Sequence, residues 1–123
     1  MQVALLSEKN MSLTINKKDS VIVICAEGQM NSSNASELER ELLAQLDSGE
    51  HRVVFDLSLV GYVSSAGLRV VLVLAKRLKQ VKGTLVLCGL QPKVHEVFDI
   101  SGFLSILTVL DTREDAIKFA ENF

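Results

Sequence analysis

Val53-Val54-Phe55-Asp56-Leu57 runs straight into Ser58-Leu59-Val60-Gly61-Tyr62-Val63-Ser64-Ser65-Ala66-Gly67-Leu68-Arg69, a passage from strand to helix around which the rest of the chain is organised. Its first part, Arg52 to Leu57, is short, apolar and β-branched, which predicts a strand. Leu68, Val71, Leu72, Ala75 and Leu78 then trace one face at helical spacing, so a helix begins inside the stretch and closes at Lys82-Gly83. Two hydroxyls, Ser64 and Ser65, fall at the strand-to-helix turn. Either can cap the helix by accepting a free backbone N–H, a role worth about 1 kcal/mol. The same free N–H groups and the helix dipole would also tolerate a phosphoryl group on one of these serines. Gly67, one turn inside, costs helix propensity relative to Ala. That cost points to a close approach at Gly67, by a neighbouring strand or by another chain.

Outward from this segment the pattern repeats. Met11 to Ile15 alternates as a half-buried strand ended by the polar run Asn16 to Ser20, and Val21 to Ala26 is apolar on both parities, as a central strand covered on both faces would be. After Gly28, the cluster Asn31-Ser32-Ser33-Asn34 supplies capping side chains for a helix over about 33–47 through Ala35, Leu38, Leu42 and Leu46. Thr84 to Cys88 reads as a buried strand. Pro92 opens a helix with Val94, Val97 and Phe98 inward, Ser105 to Val109 reads as a further strand, and Asp111-Thr112 caps a last helix through Ala116, Ile117 and Ala120. The expected fold class is α/β: a single domain over 11–123 with a mixed, mostly parallel sheet and about four helices. Residues 1–10 stand outside the pattern, as an N-terminal arm or an extra edge strand.

The 123 residues are 48% hydrophobic and carry a formal charge of −2, enough apolar material for one core and too little net charge for disorder. Interspersed charges give no basic field for nucleic acid, and one Tyr without Trp supplies few stacking surfaces. Cys25 and Cys88 lie inside apolar runs, which reads as two reduced thiols in a cytoplasmic protein. The apolar runs are shorter than the roughly 20 residues of a membrane span, and the first residues lack a signal-peptide pattern, so no membrane association is expected. His51 and His95 read as surface residues, and the Cys and His positions show no metal-ligand spacing. Neither a nucleophile elbow nor a phosphate-binding glycine motif occurs, so the chain reads as a non-enzyme without a cofactor.

Three stretches, in order, resemble the STAS-domain anti-sigma factor antagonists, also called anti-anti-sigma factors. Gly28-Gln29-Met30-Asn31 followed by Ala35 and Leu38 is similar to the lead-in to that family's first helix. Phe55-Asp56-Leu57-Ser58 with Val60, Tyr62, Val63 and Ser64-Ser65-Ala66-Gly67-Leu68 is similar to its phosphorylation loop. Phe98-Asp99-Ile100-Ser101-Gly102-Phe103 is similar to a turn near its C-terminus. The chain differs in carrying Ser64 where many members are acidic, and Ala66 where many have a second serine.

The resemblance implies a partner switch. The unphosphorylated protein would bind an anti-sigma factor that is also a serine kinase, be released when that kinase phosphorylates a loop serine, and be reset by a serine phosphatase. Ser65 is the implied acceptor, with Ser64 as the alternative. The implied partner face comprises Asn31, Ser64, Ser65, Ala66, Gly67, Leu68, Arg69, Val70 and Val73. ATP and Mg²⁺ would come with the kinase, and the chain itself would be a monomer, with a weak dimer as the alternative. Because Val70, Val73 and Leu74 fall outside the face traced by Leu68 and Val71, the helix is apolar nearly all round, as either a fully buried helix or one with an exposed docking strip would be. Two other functions fit the same α/β plan: a STAS module that binds another ligand or protein without a sigma factor target, and a receiver-like domain phosphorylated at Asp56.

Overall fold

The computed structural model describes residues 2–5 and 11–123. Six strands form one sheet whose order follows the chain, β1 (Gln2–Leu5), β2 (Met11–Lys18), β3 (Val21–Met30), β4 (Arg52–Val63), β5 (Thr84–Cys88) and β6 (Thr108–Leu110). The β1/β2 and β2/β3 pairs are antiparallel, and β3 through β6 run parallel. Helices α1 (Ala35–Asp47), α2 (Ser65–Gln80), α3 (Pro92–Ile100) and α4 (Arg113–Glu121) complete the chain. Parallel strands laid down in chain order with crossovers of one hand put successive helices on one face of the sheet. Accordingly Leu38 and Leu42 of α1, Leu74 of α2, and Val94 and Phe98 of α3 join one core with Ile24, Phe55 and Leu87. Among the described residues the second face is covered by α4, through Ala116 and Ala120 on Val23, Val54, Val86 and Cys88.

Gln2–Leu5 adds an edge strand beside β2, and the remaining residues of the 1–10 segment lie outside the described part. The alternation of β2 is as read, with Met11, Leu13 and Ile15 buried, but its polar end stays in the sheet through Lys18 and turns at Asp19, whose φ is +56°. The largest departure is β4, which continues six residues past Leu57. The Ser105 to Val109 strand is also displaced. Gly102, at φ +81°, ends the α3 region and starts a short 3₁₀ turn over Phe103–Ser105, so β6 begins only at Thr108.

Helix α2 packs on β4 and β5 and, along its flank, against α1, and these two contacts explain its apolar circumference. Gly67, Leu68, Val70, Val71, Leu74 and Leu78 are buried. Leu72, Val73 and Ala75 are half-buried, while Arg69, Lys76, Lys79 and Gln80 are exposed. Val70 and Leu74 therefore belong to the core, and α2 presents no exposed apolar strip.

Candidate functional site

The turn between β4 and α2 is assembled at the end of β3. The Ser64 amide donates to the Met30 carbonyl at 2.8 Å, which docks the turn on the last residue of β3. Ser64 is the N-cap of α2: its hydroxyl accepts the Gly67 N–H at 3.2 Å, and its carbonyl accepts the Leu68 N–H at 2.9 Å. Ser65 is the first helical residue and is exposed, and among the described residues its hydroxyl has no hydrogen-bond partner. The two serines thus have different tasks.

Gly67 is fixed by packing. A Cβ at this position would lie 2.9 Å from the Met30 Cβ and 3.1 Å from Val63 Cγ1, so the close approach comes from the ends of β3 and β4. The glycine keeps the first turn of α2 against the sheet and so keeps Ser65 at the rim.

The neighbouring turn, from β3 into α1, is held by two asparagines. Asn31 Oδ1 accepts from Ser33 N at 3.0 Å and Ser33 Oγ at 2.7 Å. Asn34, fully buried, accepts the Asn31 N–H at 3.1 Å and donates through Nδ2 to the Gln29 carbonyl at 2.7 Å. Asn34 is the structural keystone of this turn, although the sequence marks it only as one capping candidate among four. A buried amide with both ends satisfied leaves no trace in local pattern, and only its company of polar turn residues points to it.

A cleft of about 240 Å³ separates the N-terminal turns of α1 and α2, lined in part by Ser32, Ser36, Glu39, Ala66, Arg69 and Val70. The nine residues of the expected partner face divide accordingly. Ser65 and Arg69 are exposed, whereas Asn31, Ser64, Ala66 and Val73 are half-buried. Gly67, Leu68 and Val70 are buried in the folded chain, packed against α1 and the sheet ends, with Val70 at the floor of the cleft. The surface at this end of the molecule is formed by the two turns and the cleft between them.

Below the turn lies a charged pair that the sequence did not announce. Arg113 Nε, at the start of α4, donates to Asp56 Oδ2 at 2.8 Å, and Asp56 Oδ1 accepts the Ser58 N–H at 2.9 Å. Asp56 is 4% exposed. Burial pushes its carboxyl upward, but the hydrogen bonds from Ser58 and Arg113 outweigh burial and hold it below the usual carboxylate range. Cys25 and Cys88 flank it on β3 and β5 in register. Burial, reinforced by the Asp56 charge, raises both thiols, that of Cys88 to about 12. Each Asp56 oxygen is thus held by one hydrogen bond, to Ser58 and to Arg113, inside a buried cluster with the two thiols. His51 and His95 are exposed. No metal-binding cluster is present among the described residues, and among them no helix is long and apolar enough to cross a membrane.

Among the described residues, a mixed six-stranded sheet carries three helices on one face and one on the other, with a serine-capped helix docked at the end of a parallel strand pair, which defines a small α/β domain. The sequence pattern of the STAS domain matches residues 12–116, and the chain belongs to the STAS family and, within it, to the anti-sigma factor antagonists. It is 58% identical over 106 residues to BtrV of Bordetella bronchiseptica, assigned as an anti-sigma factor antagonist, covering 86% of this chain and 91% of that one. Its fold is similar to a solved Thermotoga maritima protein of the same assignment, with a TM-score of 0.85 at 21% identity over 89% and 94% of the two chains. The Bacillus antagonist SpoIIAA, solved in unphosphorylated and phosphorylated forms, matches with TM-scores of 0.76 and 0.67 at 19% identity, over 90% and 86% of this chain and 97% and 96% of those.

Proposed function

We propose that this chain is a phosphorylation-controlled antagonist that binds a serine-kinase anti-sigma factor through the β3–α1 and β4–α2 turns and is released when Ser65 is phosphorylated. One observation carries the assignment of Ser65: it is exposed and, among the described residues, its hydroxyl has no hydrogen-bond partner, whereas the Ser64 hydroxyl accepts the Gly67 N–H. In the transfer, Ser65 Oγ attacks the γ-phosphorus of ATP held by the kinase, the bond to ADP breaks, and the hydroxyl proton passes to a base of the kinase. ATP and Mg²⁺ belong to that partner, and a serine phosphatase hydrolyses the ester to reset the cycle. The chain acts as a non-enzymatic, cytoplasmic monomer.

Fold and switch are compatible. A phosphate adds about −1.5 to −2 charges, and at the first position of a helix it meets free N–H groups and the positive end of the dipole. Arg69, one turn along the same helix and exposed, adds a cation within reach of that position. The folded domain therefore tolerates the charge, while a docked partner would have to bury it, at a cost of several kcal/mol or a loss of several decades in affinity. The test is incubation with the serine-kinase anti-sigma factor and ATP, with the modified site read by mass spectrometry. Modification of Ser65, abolished in S65A and retained in S64A, is the expected outcome. Modification that persists unchanged in S65A would overturn the assignment, and an unmodified protein would overturn the switch.

A further inference from the structure

Strand β4 takes seven steps from Asp56 to Val63 where its neighbour β3 takes five from Cys25 to Met30, as the paired positions Cys25↔Asp56 and Met30↔Val63 require. Two extra residues are therefore bulged out of β4. The first irregularity falls where Leu57 and Ser58 pass Ala26, and the second at Gly61, between Val60 and Tyr62. Their effect on side chains is visible in burial: Leu57, Val60 and Val63 point inward at a spacing of three, while Leu59 and Tyr62 are 52% and 51% exposed. In regular pairing Gly61 would face Met30, and the serine turn would stand two residues, about 7 Å, further along the sheet.

The first bulge sits where β5 stops. Pairing of β4 with β5 ends at Asp56↔Cys88, so beyond it the β5 side of β4 has no strand to hold it. Side chains take over. The Ser58 N–H goes to Asp56 Oδ1 at 2.9 Å, and the Ser58 carbonyl accepts from Gln91 Nε2 at 2.9 Å. Gly89, with φ +71°, lets the chain pass so close that a Cβ there would lie 2.9 Å from the Ser58 Cβ. The second Asp56 oxygen is held by Arg113 at 2.8 Å, which ties the clasp to α4.

We propose that Asp56 is a positioning residue for phosphoryl acceptance: with Gln91 and Arg113 it locks the bulge at Ser58, and the bulge sets how far β4 advances and so presents Ser65 at the end of β3. The inference rests on the reading of Ser65 as the acceptor, but the register itself is testable without a partner. Tyr62 is the sole tyrosine and the chain has no tryptophan, so intrinsic fluorescence reports on the bulged segment alone.

The experiment compares wild type, D56A, D56N and Q91A by hydrogen exchange, by acrylamide quenching of Tyr62, and by initial rate and site of phosphorylation with the serine-kinase anti-sigma factor. D56N keeps an oxygen for the Ser58 N–H, and the partly exposed Arg113 is free to turn to water. In D56A, amide exchange over residues 58–66 should rise at least tenfold with exchange in β5 and the C-terminal half of α2 unchanged. The Tyr62 quenching constant should change about twofold, and the rate at Ser65 should fall at least tenfold. D56N should restore all three to within threefold. Q91A, a surface change that spares the core, should show the same effects in smaller measure and serves if D56A does not fold. Wild-type exchange over 58–66 in folded D56A, or in Q91A if D56A is unfolded, overturns the clasp. A wild-type Ser65 rate despite loosened exchange overturns its role in positioning. A wild-type chain left unmodified by the kinase overturns the reading of Ser65, while exchange and quenching still decide the clasp.

Discussion

Gly67 packs its α-carbon against Met30 so closely that a single added methyl would stand 2.9 Å from the Met30 Cβ. The contact joins the first turn of α2 to the last residue of β3, and it is the reason for a glycine where helix propensity argues against one. G67A gains propensity but overpacks a junction made of backbone and buried side chains, so we expect a net loss of about 1–3 kcal/mol in urea unfolding. A neutral or stabilised G67A would show that the two elements separate easily.

Ser64 and Ser65 should respond oppositely to alanine. S64A removes the hydroxyl that accepts the Gly67 N–H and should lower stability by about 1 kcal/mol. S65A removes an exposed hydroxyl that has no partner among the described residues and should stay within about 0.5 kcal/mol of wild type. Equal losses in thermal or urea unfolding would contradict the division of roles.

Asn34 should be the most sensitive polar residue of the β3–α1 turn. N34L leaves the Asn31 N–H and the Gln29 carbonyl without their partners. Both groups are part-buried and can turn partly to water, so the expected loss is about 1–2 kcal/mol. Amide exchange of residues 29–35 should accelerate ahead of global unfolding. An N34L protein with wild-type stability would show that water replaces the side chain freely.

The Asp56 carboxyl is held below its ordinary value in the folded protein, so its contribution is fully present above the unfolded-state pKa of about 3.9 and is lost as pH falls through the lower folded value. The stability difference between wild type and D56N should therefore be flat from about pH 7 to about 5 and shrink below about pH 4. Urea unfolding from about pH 7 to about pH 3 measures it. A difference that persists undiminished at the acid end, or that grows on acidification, would contradict the sign.

The strands Val21 to Ala26 and Thr84 to Cys88 were legible because burial on both faces leaves an unbroken apolar run. The start of α2 was legible because a serine pair directly precedes a helical repeat. β4 was not, since Ser58 and Gly61 look like the punctuation of a loop when they are the bulged residues of a continuing strand. The period-three burial of Leu57, Val60 and Val63 matches neither a strand nor a helix. Val70 looked available because one face of α2 already sufficed for the sheet, and only the arrival of α1 buries its flank. The partnership of Asp56 with Arg113 spans 57 residues, a separation at which local pattern carries no information.

One phosphate at Ser65 should turn the binding surface off without unfolding the domain. The decisive measurement is calorimetric titration of the serine-kinase anti-sigma factor with S65A and S65D, alongside thermal unfolding of both variants. S65A should bind as the unphosphorylated protein does, and S65D should bind at least tenfold more weakly while melting cooperatively near the wild-type temperature. Equal affinities for the two variants would contradict the account.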